Sequence, residues 1–406
     1  MDTQNTPVHI KLWHKEFWML ATANLLLMVS IYMLIPSLPP YLLKEGFSGL
    51  QVGMVMGAYG LGIFAFGGFC SYLVQRYRRN HVCQYAIIGV AVCIAILYYF
   101  NVSLKMQLDF SVLLIIRFFL GAFLGIAQMT LGSTLIIDTC ESFLRTEANH
   151  SAGWFARFAL SLGPLLALIV FRWFNYGSVL IVSGILLVCA LLLISCVNFP
   201  FKAPADNNPL FSFDRFFLPQ GTLLFINLAL ITTVVGLILS LPHAELFYGM
   251  MMLGFLLALL SERYVFADAD LKSEIITGQI LLIAAVLIMF TDHIRANIMI
   301  APAMIGFAVG IIGSRFLLFF IKLARHCQRG TSQSTFFLAW EFGMSVGLFL
   351  GFSFLGNHSL NCMKGYLPAI HTSHGDILTV GLVLIGVSFL LYNFFVHSWY
   401  MRHRNR

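Results

Sequence analysis

Apolar stretches of about twenty residues recur twelve times along this chain, and that repetition narrows the possible folds more than any other feature. A helix rises 1.5 Å per residue, so about twenty such residues cross a hydrocarbon layer ~30 Å thick. Windows of that length predict helices near 17–38, 49–72, 82–101, 109–136, 148–171 and 177–198, then near 219–240, 245–262, 274–291, 297–321, 332–356 and 376–397. Backbone in lipid must satisfy its own hydrogen bonds, which leaves helices as the spanning form for segments of this length. The expected fold class is an all-α polytopic membrane protein with twelve transmembrane helices. Only 10% of the 406 residues are charged, against roughly 25% in soluble domains. A water-facing surface cannot be built from that supply.

The first stretch, FWMLATANLLLMVSIYMLIPSLPPYLL, is too long for a signal-peptide core and lacks a small-residue cleavage site. It reads as an uncleaved first span. The longest polar stretch between consecutive spans, 199–218, divides them six and six. It predicts an amino-terminal bundle over 1–198, a central loop over 199–218 and a carboxy-terminal bundle over 219–406. With the amino terminus inside, sixteen basic residues fall on inner segments and five on outer ones. That is a strong positive-inside bias, placing both termini and the central loop in the cytoplasm. A plasma membrane, in bacteria the inner membrane, is the expected location. The formal charge of +7 is thereby a matter of topology and implies no nucleic-acid partner. The eight cysteines show no metal-ligand spacing, and no disulfide, metal or cofactor is expected.

The halves repeat. LVQRYRR (73–79) resembles LSERYVF (260–266), and the run from Arg145 to Arg157 matches the run from Arg329 to Glu341 in spacing. At the same offset Ser161 pairs with Ser345 and Gly163 with Gly347. Parallel repeats of this kind are found in transporters.

The stretch Ser71-Tyr-Leu-Val-Gln75-Arg76-Tyr-Arg-Arg79-Asn resembles the G-x-L-a-D-R-x-G-R-R loop motif of the major facilitator superfamily, matching at Leu73, Arg76 and Arg79. Ser71, Gln75 and Arg78 depart from it, and the second copy carries an acid, Glu262, before Arg263. Arg117-Phe-Phe-Leu-Gly121 is similar to the family's intramembrane arginine motif. Leu162-Gly163-Pro164 is similar to the glycine-proline signature of proton-coupled exporters, without its trailing glycines. The resemblance covers essentially the whole chain. It implies two six-helix bundles, alternating access to a central cavity, and gating roles for Arg76, Arg79, Glu262 and Arg263.

Three charges fall near the expected bilayer midplane: Arg117 in the fourth span, Arg157 in the fifth and Glu341 in the eleventh. Facing lipid there costs at least ~2.5–3.5 kcal/mol, so each must face protein or a wet cavity. Two arginines with no acid at their depth in the same half suit a carboxylate or phosphate. Burial and a neighbouring arginine pull a carboxyl group's proton affinity in opposite senses. Glu341 is therefore suited to proton coupling, and its repeat partner Arg157 is the expected contact across the cavity. Gln128 stands eleven residues after Arg117, about three turns, and shares its face. Asn24 and Asn227 lie on the first and seventh spans, which line the cavity in the resembled family. Each fits either a solute contact or an interhelical hydrogen bond. Arg315, near one end of the tenth span, is expected to snorkel to the membrane edge.

The function these features favour is secondary transport of a small organic solute, anionic or zwitterionic, coupled to protons and carried out by a monomer in the lipid bilayer. A proton-driven exporter of drug-like or metabolite compounds is the alternative. A transporter-like receptor and a membrane-embedded enzyme are the readings of another class. Against the enzyme, no HExxH and no clustered His/Asp set occurs in any span.

Overall fold

The computed structural model describes residues 11–104, 108–141, 143–199, 209–266, 270–291, 295–325, 328–362 and 368–404, with side chains up to 354 and from 374 onward. Part of the central loop (200–208) and four of the counted basic residues, Lys105, Lys202, Lys364 and Arg406, lie outside the described residues.

Among the described residues, twelve helices are long and apolar enough to cross a membrane, and each overlaps a span expected from hydropathy. They are α1 (Lys15–Lys44), α2 (Gly49–Gly67), α3 (Arg79–Ser103), α4 (Phe110–Asp138), α5 (Arg145–Trp173), α6 (Tyr176–Ser195), α7 (Pro219–Ser240), α8 (Glu245–Tyr264), α9 (Leu271–Met289), α10 (Ala296–Leu323), α11 (Arg329–Phe354) and α12 (His374–His403). The fold is all-α, and the chain is an integral membrane protein.

Packing repeats between the halves. The pairs α1–α5, α1–α6, α2–α4, α3–α4 and α3–α6 recur as α7–α11, α7–α12, α8–α10, α9–α10 and α9–α12. The repeat-matched glycines take part in equivalent contacts. A Cβ on Gly163 would lie 2.9 Å from Val29 O of α1 and 2.9 Å from Tyr32 Cβ, and one on Gly347 would lie 2.2 Å from Thr233 O of α7. Side chains at either place would push a core helix off its neighbour. The halves meet chiefly through α2 on α11 and α5 on α8.

Two irregularities bear on the interior. Helix α1 breaks at Met33, because Pro36 lacks an N–H and its ring crowds the carbonyl of Tyr32, four residues back. Helix α4 widens into a π turn over Leu131–Leu135. There Ser133 and Thr134 return their hydroxyls to the carbonyls of Met129 and Thr130, a bonding habit that bends helices. Arg315 is largely buried, paired with Glu274 and, at 3.4 Å, with Glu262. Two acids within the half neutralise it.

Candidate functional site

Glu341, on α11, is wholly buried. The Tyr32 hydroxyl donates to its Oε1 at 2.5 Å and the Tyr59 hydroxyl to its Oε2 at 3.1 Å. Both phenols come from the other half. Tyr32 sits at the α1 break, and Gly163 gives α5 room to lie against it. Tyr59 is held from beneath by Arg117, whose guanidinium carbon lies 5.3 Å from the ring centroid. Arg117 reaches there because Gly121, one turn on, lets α4 touch α2: a Cβ at Gly121 would lie 1.9 Å from Tyr59 O. Its Nε donates to Val55 O at 3.3 Å and an NH2 proton approaches Met56 Sδ at 4.0 Å.

The expected contact between Glu341 and Arg157 is not made in this conformation. Arg157 is 2% exposed, lies over the Trp154 ring at 4.3 Å, and has no hydrogen-bond partner among the described residues on any of its three guanidinium nitrogens. Both residues nevertheless line one cavity of about 40 Å³, together with Asn24, Gln128, Asn149, Gln333, Ser334 and Trp340. A water needs at least ~10–15 Å³ on the same measure. The space admits a few waters and must enlarge before an organic solute fits.

Four of the residues singled out from sequence thus share the cavity: Asn24, Gln128, Arg157 and Glu341. Gln128 donates to Asn24 Oδ1 at 2.8 Å, and Asn24 donates to Ala152 O at 3.3 Å. Two others lie elsewhere. Arg117 is packed on α2, as described, and Asn227 donates to Ser388 O of α12 at 2.9 Å. Arg117 and Gln128 do share a face of α4, but the helices cross, so that face meets α2 at one level and α1 at another. Tyr32, Tyr59, Asn149, Gln333 and Ser334 had no distinguishing sequence signal beyond the proline that follows Tyr32.

Contacts between the halves flank the cavity toward both ends. Toward the end away from the termini, α2 lies against α11, where a Cβ at Gly53 would be 2.6 Å from Phe349 O and one at Gly60 2.6 Å from Ser345 Cβ. At the basic end, Glu262 of α8 accepts from Trp154 Nε1 of α5 at 3.2 Å and contacts His150 Nε2 of α5 at 3.1 Å. Ser314 of α10 also donates to it, at 2.6 Å. Glu262 therefore ties the halves together.

On the opposite flank the matching position is Gln75, which bonds within its own half to Ser71 at 3.1 Å. The bridging acid there is Asp214 of the central loop, which accepts from Ser71 at 3.3 Å and from Thr331 of α11 at 3.2 Å. The loop is pinned further by Arg215 N to Thr331 Oγ1 at 2.9 Å and Leu218 N to Thr335 Oγ1 at 2.8 Å. Arg79 pairs with Asp138 inside the first half, Arg263 lies 5.8 Å from the Tyr264 ring, and Arg76 ends the short helix Cys70–Arg76.

Chemically, Glu341 is the telling group. An ionised carboxylate accepts from both phenols. A neutral carboxylic acid gains a donor on one oxygen and keeps less acceptor capacity, so its protonation changes what the phenols of the other half can bond to.

The chain matches the family model described as Major Facilitator Superfamily over residues 20–348. No curated protein matches it in sequence. Among solved structures it is similar to a bacterial homolog of the human lysosomal transporter Spinster (15% identity, 96% of this chain and 98% of that one, TM-score 0.66). It is also similar to the human organic anion transporter MFSD10 (14%, 92% and 100%, TM-score 0.62) and to a variant of the E. coli fucose:proton symporter FucP (12%, 92% and 98%, TM-score 0.56). Identities this low speak for the fold alone. With twelve spans, repeated packing and a family match over most of its length, this chain belongs to the Major Facilitator Superfamily of transporters.

Proposed function

We propose that the protein is a secondary active transporter that moves a small organic solute, anionic or zwitterionic, by alternating access, with protons as the coupling ion. The halves 1–198 and 219–406 rock about the cavity, and 199–218 is the cytoplasmic link between them. Both termini face the cytoplasm, as the basic residues require, and the cavity lies toward that side.

One observation carries the reading: a wholly buried carboxyl group, Glu341, is bonded among the described residues only to neutral hydroxyls of the opposite half, on a cavity it shares with the unbonded Arg157. Separating α2 from α11 on the outer side pulls Tyr59 from Glu341 and admits water, which changes how the proton is held. Solute at Arg157 alters the same neighbourhood electrostatically, because charges interact strongly in a dry cavity.

The test is proton movement in proteoliposomes. Adding a transported solute to one side should alkalinise that side in symport, or acidify it in antiport, with a fixed proton-to-solute ratio. Solute flux with no proton movement would leave a uniporter. An exporter with the same site differs only in the direction of net flux.

A further inference from the structure

The polar groups of the cavity specify more than a sign of charge. We infer that the solute is an organic oxyanion, carboxylate or phosphate, whose other polar groups are neutral donors such as hydroxyls, and that Asn149 and Gln333 select those donors. This rests on reading the cavity as the solute site, and it chooses the anion over the zwitterion.

Arg157 supplies the anion subsite. Its guanidinium face is on Trp154 at 4.3 Å, which leaves the N–H edges free, and Nε, NH1 and NH2 all lack partners. Trp154 cannot swing away readily, since its own N–H is held by Glu262 at 3.2 Å. That acid, whose charge reaches Arg157 without a hydrogen bond to it, is already engaged by His150, Ser314 and Arg315. A buried guanidinium with no hydrogen-bonded counter-charge is costly, and a planar fork of donors fits an oxyanion two bonds at a time.

The acceptors show what else the solute carries. Asn149 Oδ1 and Gln333 Oε1 are buried and unbonded, on α5 and α11 respectively, and both residues line the cavity. Ser334 Oγ beside them is unbonded too. Asn24 and Gln128 are already committed to one another. An ammonium group is best met by a carboxylate, and the one carboxylate lining the cavity among the described residues, Glu341, already accepts a phenol on each oxygen. Amide oxygens remain, and they match O–H or neutral N–H donors.

A matched three-carbon series tests this on purified full-length protein by thermal shift and direct binding: glycerate, glycerol phosphate, glycerol and serine. Glycerate or glycerol phosphate, whichever anion the site prefers, should stabilise the protein more than serine or glycerol. Arg157→Met should weaken that anion at least about tenfold, and Asn149→Leu and Gln333→Leu should each weaken it severalfold. Without ligand, Arg157→Met should melt no lower than the parent, because it removes an unpaired buried charge; a structural arginine would lower it. Serine or glycerol binding best, no response to either anion, or undiminished anion binding in Arg157→Met would overturn the inference. If the anion binds as described yet proteoliposomes do not carry it across, the transport reading fails and the ligand class stands.

Discussion

The hydroxyl of Tyr32, at the break in α1, donates to Oε1 of Glu341 in α11 across 2.5 Å. The two residues are 309 positions apart in sequence and belong to different halves. With Tyr59 on the other oxygen, the contact makes the protonation of one carboxyl group depend on how the bundles are docked.

Removing these donors should be measurable as coupling. Hydrogen bonds to a charged group contribute ~1.5–3 kcal/mol. Tyr32→Phe and Tyr59→Phe should each lower the melting temperature in detergent. In Glu341→Leu the same replacements should lower it much less. Additive losses in the double variants would mean that the phenols stabilise something other than this carboxyl group.

Gly163 should tolerate no larger side chain. A Cβ there meets Val29 O and Tyr32 Cβ at 2.9 Å, and overpacking costs about 1–3 kcal/mol. Gly163→Val should reduce both stability and transport by displacing Tyr32. Its repeat partner should behave alike in stability: Gly347→Val forces α11 off α7. Wild-type melting curves for both variants would count against the packing described.

Twelve spans are readable in hydropathy because a lipid-spanning helix needs an apolar run of fixed length. Arg157 and Glu341 stand out because charge at that depth is expensive. Tyr32 and Tyr59 do not stand out, because a tyrosine in an apolar helix looks the same whether its hydroxyl reaches a carboxylate or a headgroup. Arg117 and Gln128 share a face, yet periodicity in one helix says nothing about which neighbour crosses that face. Asp214 is hidden for another reason: its partners, Ser71 and Thr331, come from distant segments that only the folded chain assembles.

Asp214 joins Ser71 of the first half to Thr331 of the second, so its loss should favour opening at the basic end. In a cysteine-free background, a cysteine placed at Ser334 should react with a permeant maleimide severalfold faster when Asp214→Ala is added. Glu262→Gln, which loses its charge on the other flank, should act in the same direction. An unchanged rate in both would show that neither contact holds the gate.

His243, between α7 and α8, is stacked on Phe247 with ring centroids 3.7 Å apart. Desolvation there pulls its pKa down to about 4, with His374 adding to the effect and the bond to Ile238 O opposing it. The folded value lies below the ordinary ~6.5, so the unfolded chain binds the proton first. Its contribution to stability is complete above about pH 6.5 and falls away toward pH 4. The melting temperature should decline over that window, less steeply in His243→Phe. Equal slopes in both proteins would exclude His243 as the cause.

The most direct measurement concerns Glu341→Gln, which fixes the neutral form in nearly the same shape. In proteoliposomes loaded with solute, exchange of labelled for unlabelled solute needs no net proton movement, whereas accumulation driven by an imposed pH gradient does. The variant should keep exchange and lose accumulation. Proton-driven accumulation at the parental level in Glu341→Gln would contradict the account and leave Glu341 a core residue whose only task is to bind two tyrosines.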